Sequence, residues 1–239
     1  QEKTVLVPGI YDALSAKIAQ QVGFNILFHT GYGTAATLLG VPDIGLVSFS
    51  EMNERVSNIC NAVDVPVIAD ADTGYGNSLN TMRTVKDYIK SGAAGLILED
   101  QVWPKKCGHM KNKDVISIEE MEGKIKAAVD SRIAEHSDLV IVARTDSLAV
   151  EGLDNAISRV KTYQKAGADI LFIEAPNQID DLKEILRLYQ IIISKGGVIE
   201  GISNKIYVDQ DQDATGDETK IKKHIDKEIE IIKTDPKLI

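Results

Sequence analysis

The sequence predicts a parallel α/β protein wound as a (β/α)8 barrel of the TIM type, and three observations carry that expectation. Short runs rich in Val, Ile, Leu and Ala alternate with longer amphipathic stretches at intervals of roughly 25–45 residues, the rhythm of βα units. The apolar runs are nearly continuous instead of alternating, as strands covered by helices must be. Polar residues gather just past the ends of many different runs: Thr30, Asp70 and Asp72, Glu99, Arg144, Glu174. A doubly wound sheet draws its ligands from a few strands at one switch point, whereas every strand of a barrel aims its C-terminal end at a common centre.

The candidate strands are Thr4–Pro8, Asn25–Thr30, Pro66–Asp70, Gly95–Glu99, Leu139–Arg144 and Asp169–Glu174. Between them lie helical patterns at Asp12–Val22, Ser50–Ala62, Ser78–Ser91, Ser117–His136, Leu153–Ala166 and Ile179–Tyr189. Ser117 and Glu120 have capping-box spacing, Glu119 adds negative charge to that first turn, and Gly92 and Gly167 fit helix stops. Beyond Glu174 the pattern is less regular. Ile191–Ser194, Val198–Ile202 and Lys205–Val208 are candidate short strands, Asp209–Asp217 is an acidic loop, and Glu218–Lys233 is an amphipathic helix.

A net charge of −9 over 239 residues excludes an extended basic surface for nucleic acid or anionic lipid. No segment approaches the roughly 18 apolar residues that span a bilayer, and the N-terminus lacks a signal-peptide layout. The first residue is Gln1, so some N-terminal sequence is expected to be missing. Two cysteines, Cys60 and Cys107, make no disulfide framework, which points to reduced thiols and a cytoplasmic setting. Cys60 falls in a helical pattern, where a buried inert thiol is expected.

Five constellations could carry chemistry. Asp70-Ala71-Asp72-Thr73-Gly74-Tyr75-Gly76 places two acids and a glycine turn at a strand end, and Glu99 ends the next strand. Three carboxylates on consecutive strands suit a hard cation such as Mg²⁺, with Mn²⁺ as a substitute, although capping of turn amides is the plainer reading. Lys105-Lys106-Cys107-Gly108-His109 sets a thiol among cations, a setting that favours thiolate, and the cations would also attract a small carboxylate substrate. Read plainly, it is a basic surface loop with an incidental cysteine. Arg144 can hold a carboxylate by two parallel hydrogen bonds, and Glu174 can act as a base or fix a cation; the alternative for both is one buried ion pair. His29-Thr30-Gly31-Tyr32-Gly33 offers turn amides to an anion.

Taken together these residues resemble the isocitrate lyase and phosphoenolpyruvate mutase superfamily. The resemblance runs through Val7-Pro8-Gly9, Tyr11-Asp12-Ala13, Gly40–Gly45, Asp70–Gly76, Glu99-Asp100-Gln101, Lys105–His109, Ala143–Asp146 and Glu151–Asp154, over residues 4–180. It implies a TIM-type barrel of the phosphoenolpyruvate/pyruvate class, one domain over 1–239, in a homo-oligomer, tetramer or dimer. Asp70, Asp72 and Glu99 would hold Mg²⁺, directly or through water. Thr30, Gly31 and Tyr32 would cradle an oxo-acid carboxylate with Arg144, and Asp43 would sit near the metal's water shell. Cys107 would transfer the proton, with Lys105, Lys106, Gly108 and His109 closing around the second fragment and Glu174 setting protonation states beside them.

The Lys-Lys-Cys-Gly-His loop resembles the lyase branch, which implies cleavage of 2-methylisocitrate or a related 2-hydroxy di- or tricarboxylate to pyruvate or glyoxylate and a dicarboxylate. Two features depart from the family. No Asn- and Glu-containing segment ending in Thr-Pro follows the expected seventh strand, where Gly196–Ser203 stands, so residues 191–239 are divergent. Tyr32 also stands where methylisocitrate lyases have a small residue. Oxaloacetate hydrolysis or decarboxylation, a carboxyphosphonoenolpyruvate mutase-like reaction, and a non-catalytic degenerate member therefore remain alternatives.

Overall fold

The computed structural model describes residues 5–176 and 178–194. These fall into two compact units, the first reaching Ala175 and the second containing the last helix. In the first unit the strands are β1 (Gly9–Ile10), β2 (Leu27–His29), β3 (Val67–Asp70), β4 (Gly95–Glu99), β5 (Val140–Thr145) and β6 (Ile170–Ile173). All five pairings are parallel, and the strands stand in the order β1-β2-β3-β4-β5-β6. Unbroken sequential order with no reversal is the winding of a (β/α) barrel, and no switch point of a doubly wound sheet occurs in it.

The helices are α1 (Ala13–Val22), α2 (Gly31–Leu38), α3 (Phe49–Cys60), α4 (Ser78–Lys90), α5 (Ile118–Ala134), α6 (Leu148–Glu151) and α7 (Leu153–Lys165). Their starts follow from capping chemistry: Asp12, Ser48 and Asn77 each close a reciprocal box with the third helical residue. Ser117 caps α5 by accepting from the Glu120 amide. Gly92 and Gly167, just past the ends of α4 and α7, take positive φ values of 89° and 105°. The second unit is described here by α8 alone, Ile179–Ser194.

Three expectations are corrected. The first strand is Gly9–Ile10 instead of Thr4–Pro8; Pro8 has no N–H to give to a ladder and serves only as acceptor for the Phe28 amide. Two helices, α2 and α6, were not anticipated. Ile191–Ser194, a candidate strand, is the last turn of α8. Val198–Ile202, Lys205–Val208, the Asp209–Asp217 loop and the Glu218–Lys233 helix lie outside the described residues.

Packing follows the βα rhythm. Ile10, Leu27 and Val67 on neighbouring strands meet Ala16, Ala19 and Ile59 of α1 and α3, and Cys60 lies at the margin of this cluster. Burial pushes the Cys60 thiol up to about 11, so it is protonated and inert at neutral pH. The core also supports the strand ends directly. Tyr88 of α4 is fully buried and its hydroxyl donates to the Asp70 main-chain carbonyl at 2.8 Å. Tyr88→Phe removes that bond while keeping the ring. It should cost about 1–3 kcal/mol in urea unfolding, the range for a buried hydrogen bond whose partner is left dry; an unchanged midpoint would show that the Asp70 turn is held without it.

Candidate active site

Each strand delivers its last residue, or the next one, to the same end of the sheet. Asp70 ends β3, Glu99 ends β4, Arg144 lies near the end of β5 beside Glu99 in register, and Glu174 follows β6. Thr30 follows β2 and caps α2, its hydroxyl accepting from the Gly33 amide. The Gly31 amide, in the first turn of α2, donates to Asp70 Oδ2 at 3.0 Å, and the Asp72 amide donates to Asp70 Oδ1 at 3.0 Å. The expected anion cradle is therefore a helix N-terminus whose anion is the protein's own Asp70. A Cβ at Gly31 would lie 2.8 Å from Asp70 Oδ2, which is why no larger residue fits there. Tyr32, by contrast, is exposed.

Asp70, Asp72 and Glu99 are buried together, and burial sets their ionisation. It pushes Asp72 up to about 6 against the pull of Lys105, and it raises Glu99 well above the usual carboxylate range against Arg144 and Lys105. Burial works in the same direction on Asp70, but there Lys105, Arg144 and the two amides prevail and the pKa is lowered. Lys105 answers this charge. Its Nζ donates to Asp43 Oδ2 at 2.8 Å and stands 2.6 Å from Asp72 Oδ1. The second contact is ionic: Asp72 Oδ1 has no hydrogen bond of good geometry, and neither has Glu99 Oε1. Burial opposes the charge on Lys105, yet Asp72, Glu99, Asp70 and Asp43 raise its pKa well above the ordinary lysine value.

Among the described residues no three His, Cys, Asp or Glu side chains converge as a ready-made metal cage. The donor set nonetheless fits a hard divalent ion, which takes one or two carboxylates and completes its shell with water and ligand oxygens. The fit rests on two dry carboxylate oxygens and on a lysine ammonium that the same cluster already accepts.

Arg144 is placed differently from the expected carboxylate clamp. Its guanidinium makes its two-pronged contact with Asp146, Nε to Oδ2 at 2.9 Å and Nη2 to Oδ1 at 3.0 Å. Glu99 Oε2 and Glu174 Oε2 each lie 3.3 Å from it, so the ion-pair alternative is realised. Its planar fork is committed to an internal acid.

The Lys105–His109 loop lies over these groups. Gln101 grips it from the strand end, with Oε1 accepting from the Lys106 amide at 3.0 Å and Nε2 donating to the Lys106 carbonyl at 2.8 Å. The Cys107 amide donates to the Asp43 carbonyl at 2.9 Å. Gly108 fits where nothing larger could: a Cβ there would meet Arg144 Nη2 at 2.5 Å and the Glu174 carboxyl carbon at 2.6 Å. His109 Nε2 stands 3.2 Å from Glu174 Oε1, and Lys106 Nζ donates to the Asn112 carbonyl. The loop's basic side chains thus have partners of their own, Lys105 on Asp43 and Asp72, Lys106 on Asn112 and His109 on Glu174.

Four groups beyond the predicted set complete the arrangement: Asp100, Gln101, Lys113 and Asp146. Buried Asp100 accepts from Thr145, Tyr163, Arg159 and the Asp146 amide. Lys113 Nζ donates to the Gly108 carbonyl and lies 2.7 Å from Asp146 Oδ1. Arg144 and Asp146 sit two apart at a strand end, a spacing that puts side chains on one face and could have signalled their pairing. Lys113 gave no such signal, since its partner lies 33 residues away.

An α/β barrel with buried acids at its strand ends and a Cys-Gly-His loop closed over them is the kind of protein that the comparisons with known sequences and structures identify. The model of the phosphoenolpyruvate phosphomutase family matches residues 1–197, and the chain belongs to that family, within the isocitrate lyase and phosphoenolpyruvate mutase superfamily. It is 51% identical over 184 residues to a 2,3-dimethylmalate lyase of Eubacterium barkeri, covering 77% of this chain and 63% of the relative. It is 53% identical over 189 residues to a chloroplastic carboxyvinyl-carboxyphosphonate phosphorylmutase of Arabidopsis thaliana, covering 77% and 55%. Among solved structures, an oxaloacetate acetylhydrolase in complex with the inhibitor 3,3-difluorooxalacetate superposes with a TM-score of 0.75 at 39% identity, covering 77% of this chain and 63% of that one. The chain therefore spans about three fifths of the length of the curated relatives it matches.

The seating of Gly108 gives a direct test. Gly108→Ala puts a methyl group onto Arg144 and Glu174, so the loop should lift. Hydrogen exchange of the Cys107 amide, now bonded to Asp43, should accelerate at least about tenfold while the β3–β5 amides keep their protection. Equal protection in the variant would mean that the loop is not seated through Gly108.

Proposed function

We propose that the chain is the catalytic barrel of a magnesium-dependent carbon–carbon lyase acting on a 2-hydroxy di- or tricarboxylate of the 2-methylisocitrate or 2,3-dimethylmalate type. It would release pyruvate or glyoxylate and a second carboxylic acid. The observation that carries this reading is the closed loop: Cys107 is held through its amide to the Asp43 carbonyl, over buried carboxylates of which Asp72 and Glu99 each keep one oxygen without a hydrogen bond. Enzymes of the superfamily are generally magnesium-dependent. In this chain Asp70, Asp72 and Glu99 would hold Mg²⁺, with Asp43 beside its water shell and Mn²⁺ as a substitute.

When bound, the ion stabilises negative charge on the substrate oxygen that becomes a carbonyl. The protein's own groups do the rest. The substrate hydroxyl loses its proton to a base, the adjacent carbon–carbon bond breaks, and its electron pair passes to the α-carbon of the departing acid. The Cys107 thiol gives that carbon a proton, and the closed loop keeps water away from the enolate. Thr30, Gly31 and Tyr32 with the Arg144 guanidinium would serve the oxo-acid fragment by exchanging their present partners, since the Gly31 amide is held by Asp70 and the Arg144 fork by Asp146. Lys105, Lys106, Gly108 and His109 are assigned to the other fragment, and Glu174 positions His109 and Arg144. A homo-oligomeric, cytoplasmic enzyme without nucleic-acid or membrane partners fits this chemistry. Among the described residues no helix is long and apolar enough to cross a membrane.

A second reading, a phosphorylmutase or an oxaloacetate hydrolase on the same site, is favoured by the 53% identity to the Arabidopsis thaliana phosphorylmutase. A panel of 2,3-dimethylmalate, 2-methylisocitrate, oxaloacetate and phosphonopyruvate separates the two. Release of a 2-oxo acid from the first two is expected, lost with chelator and reduced about 10²–10⁴-fold in Cys107→Ala. Turnover of oxaloacetate or phosphonopyruvate alone, or full activity in Cys107→Ala, would sink the lyase reading.

The ionisation pattern makes a pH prediction. Below about pH 6 Asp72 carries a proton in the metal-free protein, and burial moves Glu99 in the same upward direction. Mg²⁺ must displace such protons, so its affinity should weaken as pH falls through 6, with about one proton released per ion. Titration calorimetry in buffers of different ionisation enthalpy measures the release; a buffer-independent heat would remove these acids from the ligand set.

A further inference from the structure

We propose that Lys113 is the positioning residue that latches the Lys105–His109 loop shut, by joining the Gly108 carbonyl to Asp146, the acid that also holds Arg144. The proposal rests on reading this loop as the gate of the site.

The two sides of the latch are built differently. The fixed side is Asp146, fully buried at the end of β5. Its amide donates to Asp100 Oδ1 at 2.9 Å, and Asp100 is itself tied to Thr145 at 2.6 Å and Tyr163 at 2.7 Å. Its carboxylate receives the Arg144 fork, and Arg144 and Lys113 hold its pKa low despite burial. The loop side is Gly108, between Cys107 and His109.

Lys113 belongs to the anchored base of the loop and not to its tip. Beside it the Val102 amide donates to the Asp114 carbonyl at 2.9 Å, and Gln101 and Val115 form an antiparallel bridge. From that base its ammonium, buried with the rest of the side chain, reaches both partners at once. A charged donor shared between a carboxylate and a carbonyl in a dry site is a strong contact, and a bare carbonyl left there is a costly one. Lifting Gly108 therefore breaks the hydrogen bond on the loop side and leaves the Lys113–Asp146 pair standing. The residue that closes the loop is in this way also a counter-ion of the acid that aims Arg144, so loop position and guanidinium position are linked through one ammonium.

The two cysteines provide the experiment. In the full chain, alkylation by iodoacetamide is followed at Cys107 and Cys60 by mass spectrometry, Cys60 being the internal reference. Lys113→Met should accelerate labelling of Cys107 at least about tenfold, the effect of losing one charged hydrogen bond, and leave Cys60 unchanged. Lys113→Gln, which keeps a donor for the Gly108 carbonyl without the charge, should fall between, and it serves as the reporter if Lys113→Met does not fold. Unchanged Cys107 labelling, or a parallel rise at both thiols, would overturn the latch. Neither measurement needs turnover, so a failure of the substrate panel leaves the latch standing and a failure of the latch leaves the lyase reading intact.

Discussion

Everything at the mouth of this barrel depends on one constraint, the concentration of buried negative charge at the strand ends. Asp43, Asp70, Asp72, Glu99, Asp146 and Glu174 are each less than a tenth exposed. Around them stand the fixed cations Lys105, Lys113 and Arg144, with His109 on Glu174. Withdrawing a carboxylate from water costs several kcal/mol unless a partner offsets it. Six acids face three fixed cations here, and burial raises the pKa values of Asp72 and Glu99 against the pull of those cations. A core selected for stability alone would not accumulate such charge, because apolar side chains of similar size fill the same space at no electrostatic cost.

The fold supplies the means to hold it. Parallel strands in sequential order bring their C-terminal ends to one side, so each acid arrives on its own rigid element. Close approach is then a matter of omitted side chains. Gly31 admits Asp70 to the amides of α2, and Gly108 admits the loop to Arg144 and Glu174. A second polar layer around Asp100 fixes the first, since Asp100 fastens the backbone of Asp146, which in turn holds Arg144. The site is thus stiff from below and adjustable only from the loop side.

Much of this was legible in the chain. Five of the six strands fell where unbroken apolar runs placed them, and the acids were conspicuous because they end such runs. The features that escaped share one cause, dependence on tertiary partners. Thr30-Gly31-Tyr32-Gly33 reads locally as a glycine turn, for two glycines disfavour a helix. It is helical because Thr30 caps it, and because Gly31 and Gly33 pack where a Cβ would strike Asp70 or Tyr11. The first strand moved to Gly9–Ile10 because pairing with Phe28 and His29 decides it, not the apolar content of the residues before Pro8. The sequence neighbours of Cys107 are basic, and in the fold Lys105, Lys106 and His109 each engage another group. Adjacency along a loop fixes composition but not contact.

The same distinction bears on how an acidic chain could draw in an acidic substrate. With a net charge of −9 the chain as a whole repels anions, the proposed carboxylate substrate included. The arginines at the strand ends are already engaged, Arg144 with its fork on Asp146 and Arg159 on Asp100. Of the other basic side chains at the mouth, Lys113 is committed to Asp146 and the Gly108 carbonyl, while Lys105, Lys106 and His109 ride on one short loop. That loop is seated by the carboxylates below it, and also by Gln101 and by Lys113. Lys105 is seated between Asp43 and Asp72. Cys107 lies two residues on, so seating Lys105 also fixes where the thiol stands.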